Sequence, residues 1–305
     1  MTMNSTENLA YSHLNKAAIK IVDLPDEQRI QEIKTGTWIT YTRAKQVLAQ
    51  MEELFVHPRI IRMPNMLIVG SSNNGKTQIL RHFEEKHKPD PNPEGDYTII
   101  PVLFVEAPGK PDIGAFYDKI LEALWQPYSI RAKDSDKERE VKKVLRSVQL
   151  KVLMIDEIQH IIAGGQAKQR EFRNSLKSLG NELQISIICA GVNEAFNAFN
   201  TDEQLSNRFE PEFLPKWSLN NEYGDLLESF ERRLPLRKPS NLRADPAIAQ
   251  KVLWMSEGIL GEVHEVLKRS AILAIKNKSE QITMDVIEQI RWTQPSKRKV
   301  APPPT

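Results

Sequence analysis

Three observations predict an α/β fold around a mostly parallel sheet. Short apolar runs at 66–69, 99–106, 152–155, 185–190 and roughly 212–217 alternate with stretches of helical periodicity. The first run passes through Gly70-Ser71-Ser72-Asn73-Asn74-Gly75-Lys76-Thr77 into a helix-like stretch, Gln78-Ile79-Leu80-Arg81-His82-Phe83. The third, Lys151-Val152-Leu153-Met154-Ile155, ends in two carboxylates, Asp156 and Glu157. Alternating strands and helices imply right-handed crossovers and a sheet buried on both faces.

Residues 1–62 are expected to form a helical N-terminal appendage. Pro25-Asp26-Glu27 has the proline and early acids of a helix start, and Ala44, Val47, Leu48, Met51, Leu54 and Phe55 recur at helical spacing. The α/β core spans 63–218, and within it Ile113, Phe116, Tyr117, Ile120, Leu121 and Leu124 share one helix face. Three prolines between Lys86 and Gly95 mark a surface loop, and the mixed charges of 133–146 a solvated helix face. No convincing strand follows Trp217. Helical patterns at about 222–234, 246–257, 262–276 and 283–291 give a small all-α lid over 219–294, and 295–305 read as a basic, proline-rich disordered tail.

Gly70 to Thr77 matches the pattern G-x-x-x-x-G-K-[ST] in a strand-loop-helix setting, which makes it a nucleotide site of the P-loop NTPase kind. The glycines let backbone N–H groups turn inward around phosphates, and the following helix aims its positive end at them. Gly70, Ser71, Ser72, Asn73, Asn74, Gly75, Lys76, Thr77 and Gln78 are the expected binding residues, with Lys76 neutralising the β- and γ-phosphates and Thr77 holding Mg²⁺. At the end of the third run, Asp156 is placed to hold the Mg²⁺ shell and Glu157 to polarise the attacking water. Asn193, just beyond the fourth run, is a candidate sensor of the γ-phosphate, although asparagine there is also a common turn former. Arg208, in Leu205-Ser206-Asn207-Arg208-Phe209, is a candidate arginine finger supplied to a neighbouring subunit, against the alternative of a surface salt bridge.

Composition narrows the class. The 305 residues are 40% hydrophobic and 27% charged, as in a soluble globular protein, and no apolar run is long enough for a membrane span. There is no secretory signal pattern, and the single cysteine, Cys189, lies in an apolar run and reads as core; the cytoplasm is the expected compartment. No Cys/His cluster has zinc spacing. A net charge of +2 is too small to indicate nucleic acid, so any DNA surface must be a local patch.

The order of phosphate loop, Asp-Glu strand, polar sensor, Asn-Arg-Phe box and helical lid resembles an AAA+ ATPase. More narrowly the chain resembles the TniB family of transposon accessory ATPases, related to TnsC and IstB. That likeness rests on Trp38-Ile39-Thr40-Tyr41-Thr42-Arg43-Ala44, Arg62-Met63-Pro64-Asn65-Met66-Leu67-Ile68-Val69-Gly70, Ala107-Pro108-Gly109-Lys110-Pro111-Asp112 and Leu205 to Phe209. It implies ATP and Mg²⁺ as cofactors and a homo-oligomeric ring or helical filament on double-stranded DNA. It further implies a DDE-type transposase as partner, which the ATPase recruits or activates at a target. No convincing carboxylate triad for strand transfer stands apart from Asp156 and Glu157. One departure concerns the lid: where many AAA+ proteins place a basic residue, Gly258-Ile259-Leu260-Gly261-Glu262 has a glutamate, and Lys268 or Arg269 follows one to two turns later.

Lys110, Lys168, Arg170 and Arg173 are the candidate contacts to the DNA backbone, summed over repeated subunits. Two other readings stay open: a helicase loader acting on a protein ring, and a nucleotide-dependent signalling switch without DNA.

Overall fold

A computed structural model describes residues 11–36, 38–162, 165–201 and 203–299. The described residues divide into two compact units: residues 43–215, and a second in which segments from 11–42 and 216–299 come together. The expected cut at 62/63 therefore differs from the structure. Helix Thr42–Val56 buries Ala44, Val47 and Met51 within the first unit, whereas helix Asp26–Thr35 packs with the C-terminal helices. The physical reason is Arg29, fully buried and joined by both outer nitrogens to the Glu280 carboxylate at 2.7 Å and to Asp26 at 2.7 Å. Breaking such a pair leaves an uncompensated buried charge, at a cost of about 3–5 kcal/mol.

In the first unit, strands β1 (Asn65–Gly70), β2 (Val102–Glu106), β3 (Val152–Asp156), β4 (Ser186–Gly191) and β5 (Phe209–Leu214) form one sheet in the order β2-β3-β4-β1-β5, all parallel. Strands β1, β3 and β4 are buried along their whole length, which is why they read as unbroken apolar runs. Leu67, Val69, Leu103, Val105, Leu153, Ile155, Ile187 and Cys189 join one core with Phe116, Ile120, Phe172 and Leu179 of the covering helices. The chain leaves β1 toward the far edge of the sheet, while its connections after β2, β3 and β4 run the other way. The carboxyl ends of β1 and β4 thus flank a switch point, where crevices open in such sheets.

Two local readings change. The last strand starts at Phe209 rather than near 212: Pro211 resembles a breaker, but β5 is an edge strand, where proline is tolerated. Strand β2 starts after Pro101; Ile99 instead bridges Asp90 antiparallel, closing the proline-rich loop. Helix Asp134–Ser147 has the solvated face expected of its mixed charges, and its other face is buried. Val141, Val144 and Leu145 are buried, as is Lys137, whose Nζ donates to Asp118 Oδ2 at 2.6 Å.

The second unit is helical after 216, with helices Asn221–Glu231, Pro246–Ser256, Leu260–Lys276 and Met284–Gln289 around Tyr223, Leu227, Val252, Val263, Leu267 and Ile287. Asn220, Asp245 and Thr283 cap three of them by accepting from backbone N–H groups. Pro295–Lys299, expected to be disordered, forms a 3₁₀ turn held by Arg298 on both oxygens of the largely buried Glu262 carboxylate. Residues 300–305 of the expected tail lie outside the described residues. Lys268 and Arg269 both pair with Glu265.

Candidate nucleotide site

Strand β1 runs without a break into the phosphate loop, and the loop into helix Lys76–Lys86. Gly75 has φ +89°, a left-handed conformation that brings the first helical N–H groups inward and that a side chain would strain. Asn74 is buried, and its carboxamide donates to the carbonyls of Leu214 (2.8 Å) and Pro215 (3.2 Å) at the end of β5. Its side chain moors the loop to the neighbouring strand and leaves its backbone to face a ligand. Lys76 is only 4% exposed, and its Nζ donates to the carbonyls of Gly70 (2.8 Å) and Ser71 (3.0 Å). Burial pushes its pKa down, while Glu157 and Asp156 pull the other way. The direct hydrogen-bond partners of the ammonium are neutral carbonyls, so a bound phosphate can add a charged one.

Two strands away, Asp156 is 2% exposed, accepts from Thr77 Oγ1 at 2.6 Å through Oδ2, and accepts from the Glu157 N–H at 2.9 Å through Oδ1. Burial raises its pKa, with Thr77 and the Glu157 N–H opposing. This hydroxyl-carboxylate pair is a set of hard oxygen donors suited to Mg²⁺, and the under-compensated buried charge gives a divalent cation something to neutralise. Because the protonated acid is favoured in the fold, the stability contribution of Asp156 is present below the ordinary aspartate value of 3.8 and is lost as pH rises through the raised folded value. Asp156→Asn is therefore expected to flatten the decline in melting temperature of the nucleotide-free protein between 3.8 and that raised value, while abolishing stabilisation by Mg²⁺ with nucleotide. Thermal unfolding across pH checks this; an unchanged pH profile in the variant would contradict it.

Glu157 leaves the strand at φ +53°, a left-handed turn that re-aims its carboxylate away from the strand direction. That carboxylate accepts from the Gln159 amide, whose Oε1 accepts in turn from the Val192 N–H (3.3 Å) just past β4. Gly191 leaves room for this bridge, since a Cβ there would meet Gln159 Oε1 at 2.9 Å and Ala195 Cβ at 2.7 Å. Gln159 was not legible as a site residue. Its only signal was its position two residues after Glu157.

The structure thus brings Lys76, Thr77, Asp156 and Glu157 together at the carboxyl ends of β1 and β3. Asn193 stands beside them in sequence order after β4, as the exposed first residue of helix Asn193–Asn200. Ser72, Asn73, Thr77 and Gln78 are exposed, and Ser71 half-buried. Arg208 lies at the opposite end of the sheet. Since Asn65 pairs with Phe209 and Gly70 with Leu214, five residues at about 3.3 Å each separate it from its own loop by about 17 Å. Lys110 follows β2 and is exposed; Lys168, Arg170 and Arg173 lie early in helix Gln166–Leu183, the first two exposed and Arg173 half-buried. No helix among the described residues is long and apolar enough to cross a membrane.

Among solved structures the fold is similar to the Orc1 protein of Aeropyrum pernix in complex with DNA, at 14% identity and a TM-score of 0.51, over 81% of this chain and 63% of that one. It is similar also to Cdc6p from Pyrobaculum aerophilum (16% identity, TM-score 0.51, 82% of this chain and 67% of that one) and to the ADP form of Aeropyrum pernix Orc2 (15%, 0.52, 81% and 66%). The chain therefore spans somewhat under two thirds of the Orc1 chain. Sheet order, phosphate loop and these likenesses define the class: an AAA+ P-loop NTPase fold. Comparison with the curated proteins finds no match. The family model described as "Bacterial TniB protein" matches residues 29–219, and the chain belongs to the TniB family.

Proposed function

We propose that this chain is an ATPase whose ATP-bound form assembles on double-stranded DNA, marks a target and recruits or activates a DDE-type transposase, with hydrolysis driving disassembly. The observation that carries the reading is the meeting of Lys76, Thr77, Asp156 and Glu157 at one end of the sheet, in a TniB chain. The loop N–H groups and Lys76 bind the phosphates, and Thr77 with Asp156 would hold Mg²⁺. Bound there, the cation neutralises charge on the phosphate oxygens. Glu157 takes a proton from water as its oxygen bonds to the γ-phosphorus; the bond to the β-phosphate bridging oxygen breaks, giving ADP and inorganic phosphate. Gln159 orients the Glu157 carboxylate, and Asn193, one residue beyond the Val192 N–H that holds Gln159, senses the γ-phosphate.

The DNA half of the reading rests on family membership and on the cations that follow the adjacent strands β2 and β3 in the chain: Lys110 after β2, and Lys168, Arg170 and Arg173 in helix Gln166–Leu183. Backbone contacts of this kind are largely sequence-independent and fall with salt. Retention of duplex DNA with a non-hydrolysable ATP analogue, and its loss with ADP, is the result expected. Equal retention in both states would contradict it.

A further inference from the structure

Between helix Thr42–Val56 and β1 the chain reads His57-Pro58-Arg59-Ile60-Ile61-Arg62-Met63-Pro64, and nothing in the nucleotide site uses it. The two prolines restrict its ends, and Met63 is buried, its Sδ accepting from the Ile60 N–H at 3.4 Å. Arg59 Nη2 donates to the carbonyl of Leu150 (3.5 Å), two residues before β3, and Arg62 Nη2 to that of Asn207 (3.3 Å), two residues before β5. Since β4 and β1 lie between β3 and β5, these anchor points are three strand spacings apart, about 14 Å. The segment is a strap across the amino end of the sheet.

The strap leaves its apolar residues in water. Ile61 is 77% exposed, Ile60 44%, and Val56, where the preceding helix ends, 71%. Neighbouring branched aliphatics exposed in this way mark an interaction surface. Beside them opens a cavity of about 220 Å³, whose lining includes Phe55, Arg59, Met63 and Lys151. The Phe55 ring in its wall is packed by the His87 ring, 3.9 Å away centre to centre, and by Lys151 Nζ at 4.7 Å. The space is smaller than the roughly 300–1,000 Å³ of a ligand or cofactor pocket, and it suits one apolar side chain.

The charges around it have one sign. Arg59, Arg62 and Lys151 are exposed and have no carboxylate partner among the described residues, whereas Arg81, Arg139 and Lys142 each have one. No Asp or Glu occurs from Leu54 to Asn65, in a chain whose charges nearly balance at +2. A phosphate backbone would use the cations but offers nothing to three exposed aliphatic side chains. A peptide with carboxylates uses both, because arginine forks bind carboxylates through paired hydrogen bonds while apolar side chains cover the isoleucines.

We propose that the strap from His57 to Pro64 is a docking surface for an acidic peptide segment of another protein. A Leu, Ile or Phe of that segment enters the cavity beside Phe55, and flanking Asp or Glu side chains pair with Arg59, Arg62 and Lys151. The surface lies at the opposite end of β1 from Gly70, five steps of about 3.3 Å and so about 17 Å away along the strand. It therefore stands apart from the nucleotide reading.

The test selects a displayed library of random short peptides on the full-length wild-type chain, then measures the enriched peptide, synthesised and labelled, by fluorescence anisotropy. Peptides in which Asp or Glu flank Leu, Ile or Phe should be enriched, and their binding should weaken with salt. Ile61→Asp and Arg59→Glu should each weaken binding at least about tenfold, and Arg59→Lys by less. These side chains are exposed and distant from the phosphate loop, so melting temperature and nucleotide affinity should match wild type in all three variants. No enrichment, enrichment of peptides without acids, or equal affinity for wild type, Ile61→Asp and Arg59→Glu overturns the proposal. So does loss of duplex DNA binding or of self-association in those two variants with peptide affinity unchanged, which would assign the surface to nucleic acid or to a second copy.

Discussion

Glu157→Gln is expected to bind ATP as wild type does and to hydrolyse it about 10²–10⁴-fold more slowly, the range that positioned proton acceptors contribute. The substitution is isosteric, and the new amide oxygen still accepts from Gln159, so the bridge to Val192 survives. What disappears is the capacity to take a proton from water. Nucleotide affinity should hold or rise, because a negative charge is removed from beside the phosphates. The assembly on DNA should outlive that of wild type by a comparable factor if hydrolysis is what ends it. Single-turnover phosphate release and DNA dissociation in the same sample check both halves. A rate within threefold of wild type would remove Glu157 from the chemistry.

Lys76→Ala is expected to lose nucleotide binding and, with it, assembly on DNA. Hydrogen bonds to charged groups contribute about 1.5–3 kcal/mol each, so losing this ammonium should weaken nucleotide binding by at least roughly tenfold to 150-fold. The melting temperature of the nucleotide-free variant, measured beside wild type, separates lost binding from a folding defect at this buried position. Only the added stability from nucleotide, about 2.7 kcal/mol at a hundredfold excess over Kd, should vanish. A variant that keeps the nucleotide-induced shift would contradict the role of Lys76.

Much of the core was legible because its signals are local. The phosphate loop, the Asp156-Glu157 pair and the buried runs of β1, β3 and β4 each follow from chemistry at adjacent residues. Other features depend on partners distant in sequence. Arg29 reads as one more surface charge until Glu280 meets it, and helix Asp26–Thr35 joins the C-terminal helices for that reason. Pro211 reads as a strand breaker until β5 proves to be an edge. Arg298 reads as part of a disordered tail until Glu262 anchors it. Asn74 and Gln159 look interchangeable with other polar residues, and only the carbonyl of Leu214 and the N–H of Val192 show what they hold.

The measurement that bears most directly on the link between this nucleotide site and DNA is binding of wild-type chain to duplex DNA in a salt series, with a non-hydrolysable ATP analogue and with ADP. With the analogue, affinity should be high at low salt and fall linearly in log–log form, with a slope of about −0.9 per phosphate contacted; with ADP, binding should be weak throughout. Superimposable curves in the two nucleotide states would show that the phosphate loop does not govern DNA assembly.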